Sequence, residues 1–231
     1  MKVLITGDSH LGTLLQGQRR QLGPQSFLAD VTIKPLGNGR IIPTPFFKDQ
    51  GKFAEIIDPE YKQHFDRLPP VAEKYDFIGF SAPLHTVRVW RMNWCKHSPW
   101  SMGGNDNLVS DKLLLRIIED DVKYALKLLD IIGRTTRTFV IEPPWPFHHH
   151  YAVLMNGEEK VKYIHNSYRN YVINELSRKS IPVIEIDSSW VDAKGFMNPR
   201  FRRVDKKDQH HGNAEFGRLM MEKIYRFLKK C

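Results

Sequence analysis

Short apolar runs that alternate with longer, helix-like stretches are the feature of this sequence that most constrains its fold. The runs are rich in β-branched and aromatic residues and are bounded by Gly, Pro, Asp or Ser, which is typical of strands. Near-continuous apolar strands of this kind predict a parallel sheet that is covered on both faces. The sequence predicts these strands at residues 3–5, 31–33, 77–80, 139–141 and 183–186.

Three longer stretches predict helices between and after the strands. One helix is predicted over residues 108–132, a second over residues 158–180 and a last one over residues 214–228, with Asn213 as the N-cap of the last. Strand–helix alternation indicates an α/β, doubly wound fold. The apolar residues expected near one face of the first helix are Val109, Leu113, Ile117, Tyr124, Leu128 and Ile132.

Composition limits the classes of protein to consider. The chain has 231 residues, of which 41% are hydrophobic and 26% charged, which fits one globular domain with a sizeable core. No window of the sequence approaches the ~18 consecutive apolar residues of a membrane span. Because Cys95 and Cys231 cannot form a disulfide framework, we expect a reducing, cytoplasmic compartment.

The net charge of +9 has three interpretations. Lysines and arginines are scattered, and no zinc-finger spacing or RNP-type aromatic motif accompanies them. A solvated basic surface is therefore the first interpretation and an anionic substrate the second, whereas specific nucleic-acid binding is the least favoured.

Two long connections interrupt the simple alternation. Residues 37–70 are punctuated by prolines and predict one short helix near residues 59–65. Residues 86–107 interleave tryptophans with basic residues and leave the end of the third strand, where open α/β sheets bind their ligands. Candidate substrate-binding residues are therefore Arg88, Trp90 and Arg91, together with Trp145 and His10; the alternative is that the tryptophans pack this loop onto the body of the domain.

A polar tetrapeptide, Gly7-Asp8-Ser9-His10, directly follows the first strand. A serine between a parallel strand and a helix is exposed, and nearby backbone amides can stabilise an oxyanion. This arrangement suits a nucleophile of acyl transfer, although Asp-Ser before a helix is also a capping sequence.

A second polar segment precedes the last predicted helix. A serine nucleophile needs a base, and the base needs a carboxylate that orients it. Asp208 and His211 have a spacing that meets this need within one turn, whereas His210 stands only two residues from Asp208. We therefore expect His211 to be the base and His210 to point toward solvent or substrate.

Taken together, these segments resemble the blocks of the SGNH/GDSL family of serine hydrolases. Gly7-Asp8-Ser9 resembles its first block, with His10 in place of the commoner Leu, and Asp208 with His211 resembles its last block. The resemblance spans residues 1–231 as a single domain and implies a three-layer, flavodoxin-like fold whose five-stranded parallel sheet has the order 2-1-3-4-5. It also implies a catalytic triad of Ser9, His211 and Asp208 that works through an acyl-enzyme. Residues 86–107 would then be an insertion into the family fold.

The oxyanion donors that the resemblance implies are less regular. Gly39 is a plausible second-block glycine, with Gly37 as its rival. After the third strand the family's Gly-x-Asn is missing, so the third donor is either Asn105, if residues 86–107 return it to the site, or His85.

The resulting hypothesis is a serine esterase that removes an acyl group, for example acetyl, from a carbohydrate or another small polar or anionic ester. One alternative is an O-acyltransferase that uses the same triad on a sugar hydroxyl. Another is a non-catalytic carbohydrate-binding or scaffold protein. No cofactor and no metal are expected, because the consecutive histidines at 148–150 point in different directions and have no carboxylate at ligand spacing.

Overall fold

The computed structural model of the chain describes residues 1–20, 29–104, 106–205 and 207–231. Its strands, in chain order, are β1 (Lys2–Thr6), β2 (Asp30–Ile33), β3 (Phe47–Asp49), β4 (Ala54–Ile56), β5 (Arg67–Leu68), β6 (Phe77–Phe80), β7 (His97–Pro99), β8 (Asn107–Val109), β9 (Arg137–Ile141) and β10 (Val183–Ile184). Its helices are α1 (Leu11–Arg20), α2 (Pro59–Lys62), α3 (Val87–Trp90), α4 (Asp111–Gly133), α5 (Tyr151–Asn156), α6 (Glu158–Arg178) and α7 (Ala214–Leu228).

The central sheet has five strands in the order β2-β1-β6-β9-β10, and every neighbouring pair is parallel. The predicted fold class and the order 2-1-3-4-5 are therefore confirmed. The last strand is shorter than predicted and ends at Ile184. The reason is local: the Ile186 amide donates to the Glu142 carboxylate at 2.8 Å instead of extending the ladder.

Helices cover both faces of this sheet, as the near-continuous apolar strands require. On one face Ile78 and Val140 pack with the buried sides of α4 and α6. On the other face Ile5 and Phe139 pack with α1 and α7. Alternate residues of each strand thus supply two separate apolar layers, and each fully buried side chain of this size contributes about 1.5–3 kcal/mol.

Two of the predicted helices differ in their bounds. Helix α4 begins at Asp111 rather than near residue 108, because Leu108 and Val109 belong to β8 and the Ser110 hydroxyl caps the helix by accepting from the Leu113 amide. Near its start the buried face is shifted by one residue from the predicted one, since Leu113 is 51% exposed and Leu114 is buried, whereas Leu128 and Ile132 are buried as predicted. The short helix α2 ends at Lys62 instead of continuing to residue 65.

The last helix has the predicted bounds and lies directly against the first. Asn213 caps α7 by accepting from the amides of Glu215 and Phe216. A Cβ added at Gly17 would lie 2.1 Å from the backbone of Gly217, so only glycines allow this approach of α1 and α7. The close contact fixes the segments that precede these two helices relative to each other.

No helix in the described part of the chain is long and apolar enough to cross a membrane.

Candidate active site

Ser9 stands at the carboxyl end of β1, immediately before α1, and is exposed. The turn that presents it depends on Gly7, whose φ of +143° lies in the region that favours glycine. A Cβ at this position would also lie 2.3 Å from the Ser81 hydroxyl. Glycine at position 7 is thus required by local backbone geometry, independently of any chemistry of Ser9.

The segment before α7 brings its polar residues to the same edge. His211 Nε2 lies 2.8 Å from Ser9 Oγ, and His211 Nδ1 lies 2.8 Å from Asp208 Oδ1. The His211 amide also donates to Asp208 Oδ1 at 3.2 Å. Serine, imidazole and carboxylate therefore form one continuous hydrogen-bonded line across residues that are about two hundred positions apart.

Arg203 anchors this line to the first helix, a role that the sequence reasoning missed. Its Nη1 donates to Asp208 Oδ2 at 2.8 Å, its Nε to the Gly212 carbonyl at 3.0 Å and its Nη2 to Thr13 Oγ1 at 3.1 Å. Burial raises the pKa of Asp208, but His211 and Arg203 together lower it by more than burial raises it. The pKa of Asp208 therefore lies below its ordinary value. Asp208 is thus held ionised beside the imidazole.

Two backbone amides next to Ser9 are free to bind an oxyanion. Within the described residues neither the Ser9 nor the Gly39 amide donates to any acceptor, whereas the Gly37 amide points to the Gly7 carbonyl at 3.5 Å. Gly39 lies against the nucleophile segment, since a Cβ there would be 3.3 Å from Asp8 Cβ. These positions favour Gly39 over Gly37 as the second donor.

Of the two candidates for the third oxyanion donor, the structure describes only His85. Asn105 lies outside the described residues. His85 lies beside the nucleophile segment but faces inward: it is 6% exposed, and its Nδ1 is 2.5 Å from Asp8 Oδ2.

Asp8, His85 and His10 form a buried cluster under the nucleophile. Asp8 is fully buried and accepts from the His10 amide at 3.1 Å. Burial raises the pKa of Asp8, but His85 and His10 outweigh this effect and hold the pKa well below its ordinary value. Burial lowers the pKa of His85 and that of His10. Asp8 is therefore held as a carboxylate beside two buried imidazoles.

His210 does not point to solvent. Its ring stacks on His85 with centroids 6.0 Å apart and packs against His211 at 4.0 Å, and burial lowers its pKa to about 3. It lines a small cavity that leaves about 10 Å³ for the centres of water molecules. The cavity walls are His10, His85, Thr86, Val87, Trp90, Pro144, Trp145, Pro146, Phe147 and His210.

Two of the predicted substrate-binding residues need correction. Arg88 does not face solvent: it is 8% exposed and its Nε donates to both oxygens of Asp121. Trp90 is 2% exposed and donates to Thr86 Oγ1, so it offers no exposed stacking platform, although its ring is part of the cavity wall. The prediction failed because the Arg88 partner lies 33 residues away in α4.

The other substrate-binding candidates remain near the site. Burial lowers the pKa of His150 to about 4, and the charges of His149 and Arg91 contribute to this shift. Arg91 itself is exposed. Trp145 lines the cavity and donates to Glu142 at 2.8 Å. His10 lines the cavity from the side of the nucleophile.

His148 and His150 of the histidine run at 148–150 make different structural contacts. His150 caps α5 through a contact of its Nδ1 with the Ala152 amide. The expectation that no carboxylate accompanies the run was wrong: His148 contacts Glu158 through Nδ1 at 2.9 Å and Asp192 through Nε2 at 2.7 Å. Because the two carboxylates lie on opposite nitrogens of the ring, they do not converge on one position.

Comparisons with known proteins agree with the topology. No protein-family model matches the sequence, and no curated protein is significantly similar to it. A presumed acylhydrolase from Bacteroides fragilis has a TM-score of 0.54 and 13% identity, over 99% of this chain and 86% of its own. A presumed GDSL-like lipase from Parabacteroides merdae has a TM-score of 0.50 and 12% identity, over 99% of this chain and 95% of its own. With the sheet order described above, this chain has the SGNH, or GDSL-type, hydrolase fold.

Proposed function

We propose that the protein is a serine ester hydrolase in which Ser9 is the nucleophile, His211 the general base and Asp208 the residue that orients the base. The observation that carries this proposal is the line of two 2.8 Å contacts from Asp208 through His211 to Ser9. Alternative roles for such residues, namely a helix cap and a polar loop, do not require a histidine aligned on a serine hydroxyl.

In the first half of the reaction Ser9 Oγ attacks the ester carbonyl while His211 Nε2 takes its proton. Asp208 accepts a hydrogen bond from His211 Nδ1, which fixes the tautomer with the lone pair on Nε2 and stabilises the imidazolium that forms. The negative charge on the carbonyl oxygen is met by the free amides of Ser9 and Gly39.

The second half reverses these proton transfers. His211 gives its proton to the departing alkoxide, which leaves as an alcohol, and the acyl group stays on Ser9. A water then attacks the acyl carbon and passes a proton to His211, and the acid is released as Ser9 regains its proton.

The cavity beside the nucleophile favours a small acyl group. Its space of about 10 Å³ for water centres is near the minimum that one water needs. Trp90 and Phe147 are both almost fully buried and form part of its wall, so a longer chain would have to displace packed side chains. The substrate is therefore an ester of a short acid, acetate above all. Exposed Arg91, directly after α3, favours a polar or anionic alcohol part, of which a carbohydrate is one class.

The test is ester hydrolysis by the wild type and by Ser9→Ala across acetyl, butyryl and octanoyl esters of one alcohol, including O-acetylated sugars. We expect the acetyl ester to have a kcat/KM at least about 10-fold above that of the octanoyl ester. Ser9→Ala should lose all measurable turnover while its thermal unfolding stays unchanged, and the exposed serine variant Ser101→Ala is the matched control. Residual activity of Ser9→Ala within tenfold of the wild type would reject the proposal.

A further inference from the structure

The cluster of Asp8, His10 and His85 holds an unusual concentration of buried polar atoms without hydrogen bonds. Among the described residues, Asp8 Oδ2 and His85 Nδ1 contact only each other, at 2.5 Å, and His85 Nε2 and both ring nitrogens of His10 have no hydrogen-bond partner. Asp8, His10 and His85 are 0%, 4% and 6% exposed, respectively. Buried polar atoms are normally satisfied, so a cluster of this kind indicates a bound group.

The chemistry of the cluster selects the kind of group. One carboxylate and two imidazoles are a donor set that Zn²⁺ and neighbouring transition ions bind. An anion is disfavoured by the ionised Asp8 carboxylate. An ion bound by Asp8 and His85 would take the place of their direct 2.5 Å contact.

We propose that Asp8, His10 and His85 form a binding site for a divalent transition ion of the Zn²⁺ type. One ligand atom from each residue lies within 4.8 Å of one from each of the others. Zn–N and Zn–O bonds of ~2.0–2.2 Å place tetrahedral ligand atoms about 3.4 Å apart, so shifts of roughly 1 Å complete the geometry. His10 and His85 both line the small cavity described above, which gives an ion a route to the cluster.

A second group of potential ligands, Asp208, His210 and His211, also lies within this distance range but is already engaged. Both ring nitrogens of His211 have partners, and both oxygens of Asp208 accept hydrogen bonds. An ion there would have to break the line to Ser9. In the buried cluster an ion would displace only the Asp8–His85 contact and would leave the line to Ser9 intact, which is why the proposal rests on it.

This inference does not depend on the proposed esterase activity, and the experiment keeps the two apart. Tag-free Ser9→Ala protein is titrated with Zn²⁺ by calorimetry, and with Co²⁺ by visible absorption, since Co²⁺ bound by nitrogen and oxygen ligands has d–d bands that report its coordination. We expect one site per chain in the wild type and in Ser9→Ala alike. His10→Gln and His85→Gln should each weaken Zn²⁺ binding at least about 10-fold and remove the Co²⁺ bands.

The matched controls are His148→Gln, which removes a surface histidine between two carboxylates, and His210→Gln, which removes a member of the second group. Both should retain the Zn²⁺ site. Failure of the wild type to bind one ion, unchanged affinity in folded His10→Gln, or loss of binding in His148→Gln would each overturn the proposal. His10→Gln serves as the second variant if His85→Gln does not fold.

Discussion

Replacing Arg203 tests whether catalysis depends on how the Asp208 carboxylate is held. Arg203→Met keeps most of the apolar stem but removes the guanidinium and its three hydrogen bonds to Asp208, Gly212 and Thr13. The pair is largely shielded from solvent, with the Arg203 and Asp208 side chains 24% and 16% exposed. The line from His211 to Ser9 stays chemically intact in this variant.

The magnitude follows from the contacts that are lost. A hydrogen bond to a charged partner contributes about 1.5–3 kcal/mol, so we expect Arg203→Met to lower the free energy of unfolding by about 2 kcal/mol. For a chain of this length that corresponds to a fall in Tm of about 4–8 °C. If about 1.4 kcal/mol of the lost interaction acts in the transition state through Asp208, kcat falls about tenfold.

The assay is steady-state hydrolysis of an acetyl ester together with thermal unfolding. KM should stay unchanged, because Arg203 acts through Asp208 and not on substrate. Arg203→Lys should recover only part of kcat, since an ammonium cannot reproduce the three-way contact of the guanidinium. Arg200→Met is the matched control, because Arg200 is exposed and lies over the Phe201 ring instead. A kcat of Arg203→Met within twofold of the wild type would refute the reasoning.

The remaining predictions concern the base, the basic residues near the site and a buried histidine. His211→Ala should lower kcat by roughly 10⁴-fold and His210→Ala by far less, and the reverse order in measured kcat would assign the base to His210. Arg91→Gln should raise KM for an anionic ester but not for a neutral one, and equal KM effects on both esters would exclude a substrate contact for Arg91. Arg88→Met should mainly lower Tm, because Arg88 is buried against Asp121. Burial lowers the pKa of His165 to about 3, so between about pH 6.5 and pH 3 the imidazole is neutral in the folded state and protonated in the unfolded state. The free energy of unfolding therefore falls as the pH drops below about 6.5. Between pH 7 and pH 4.5 the free energy of unfolding of His165→Asn in urea should therefore fall by about 2–3 kcal/mol less than that of the wild type, and an identical fall would contradict this.

The fold could be predicted because its strands are short, apolar and parallel. Strands buried on both faces leave a near-continuous apolar signature, and their order follows once the resemblance to a known fold is recognised. The start of α4 was harder to predict, because Leu108 and Val109 are apolar and fit a strand or a helix equally well.

In the candidate site, too, some features could be predicted from the sequence and others could not. Ser9, Asp208 and His211 lie in short local motifs, so their proximity could be expected from the shared edge of a parallel sheet. Contacts between residues far apart in sequence could not be expected, and these contacts determine which side chains around the site are buried and which are exposed. Arg88 is buried against Asp121, and His85 meets Asp8, 77 positions before it, only because β1 and β6 are neighbours in the sheet.

The most direct test of the account is covalent labelling of the protein by a fluorophosphonate, which reacts with a serine that a base activates. The adduct is located by peptide mass spectrometry in the wild type, in Ser9→Ala and in His211→Ala, with circular dichroism to show that each is folded. The account predicts one adduct, on Ser9, absent from Ser9→Ala and formed at least about 10²-fold more slowly in His211→Ala. An adduct on another residue, or equal labelling rates in the wild type and His211→Ala, would contradict the claim that His211 activates Ser9.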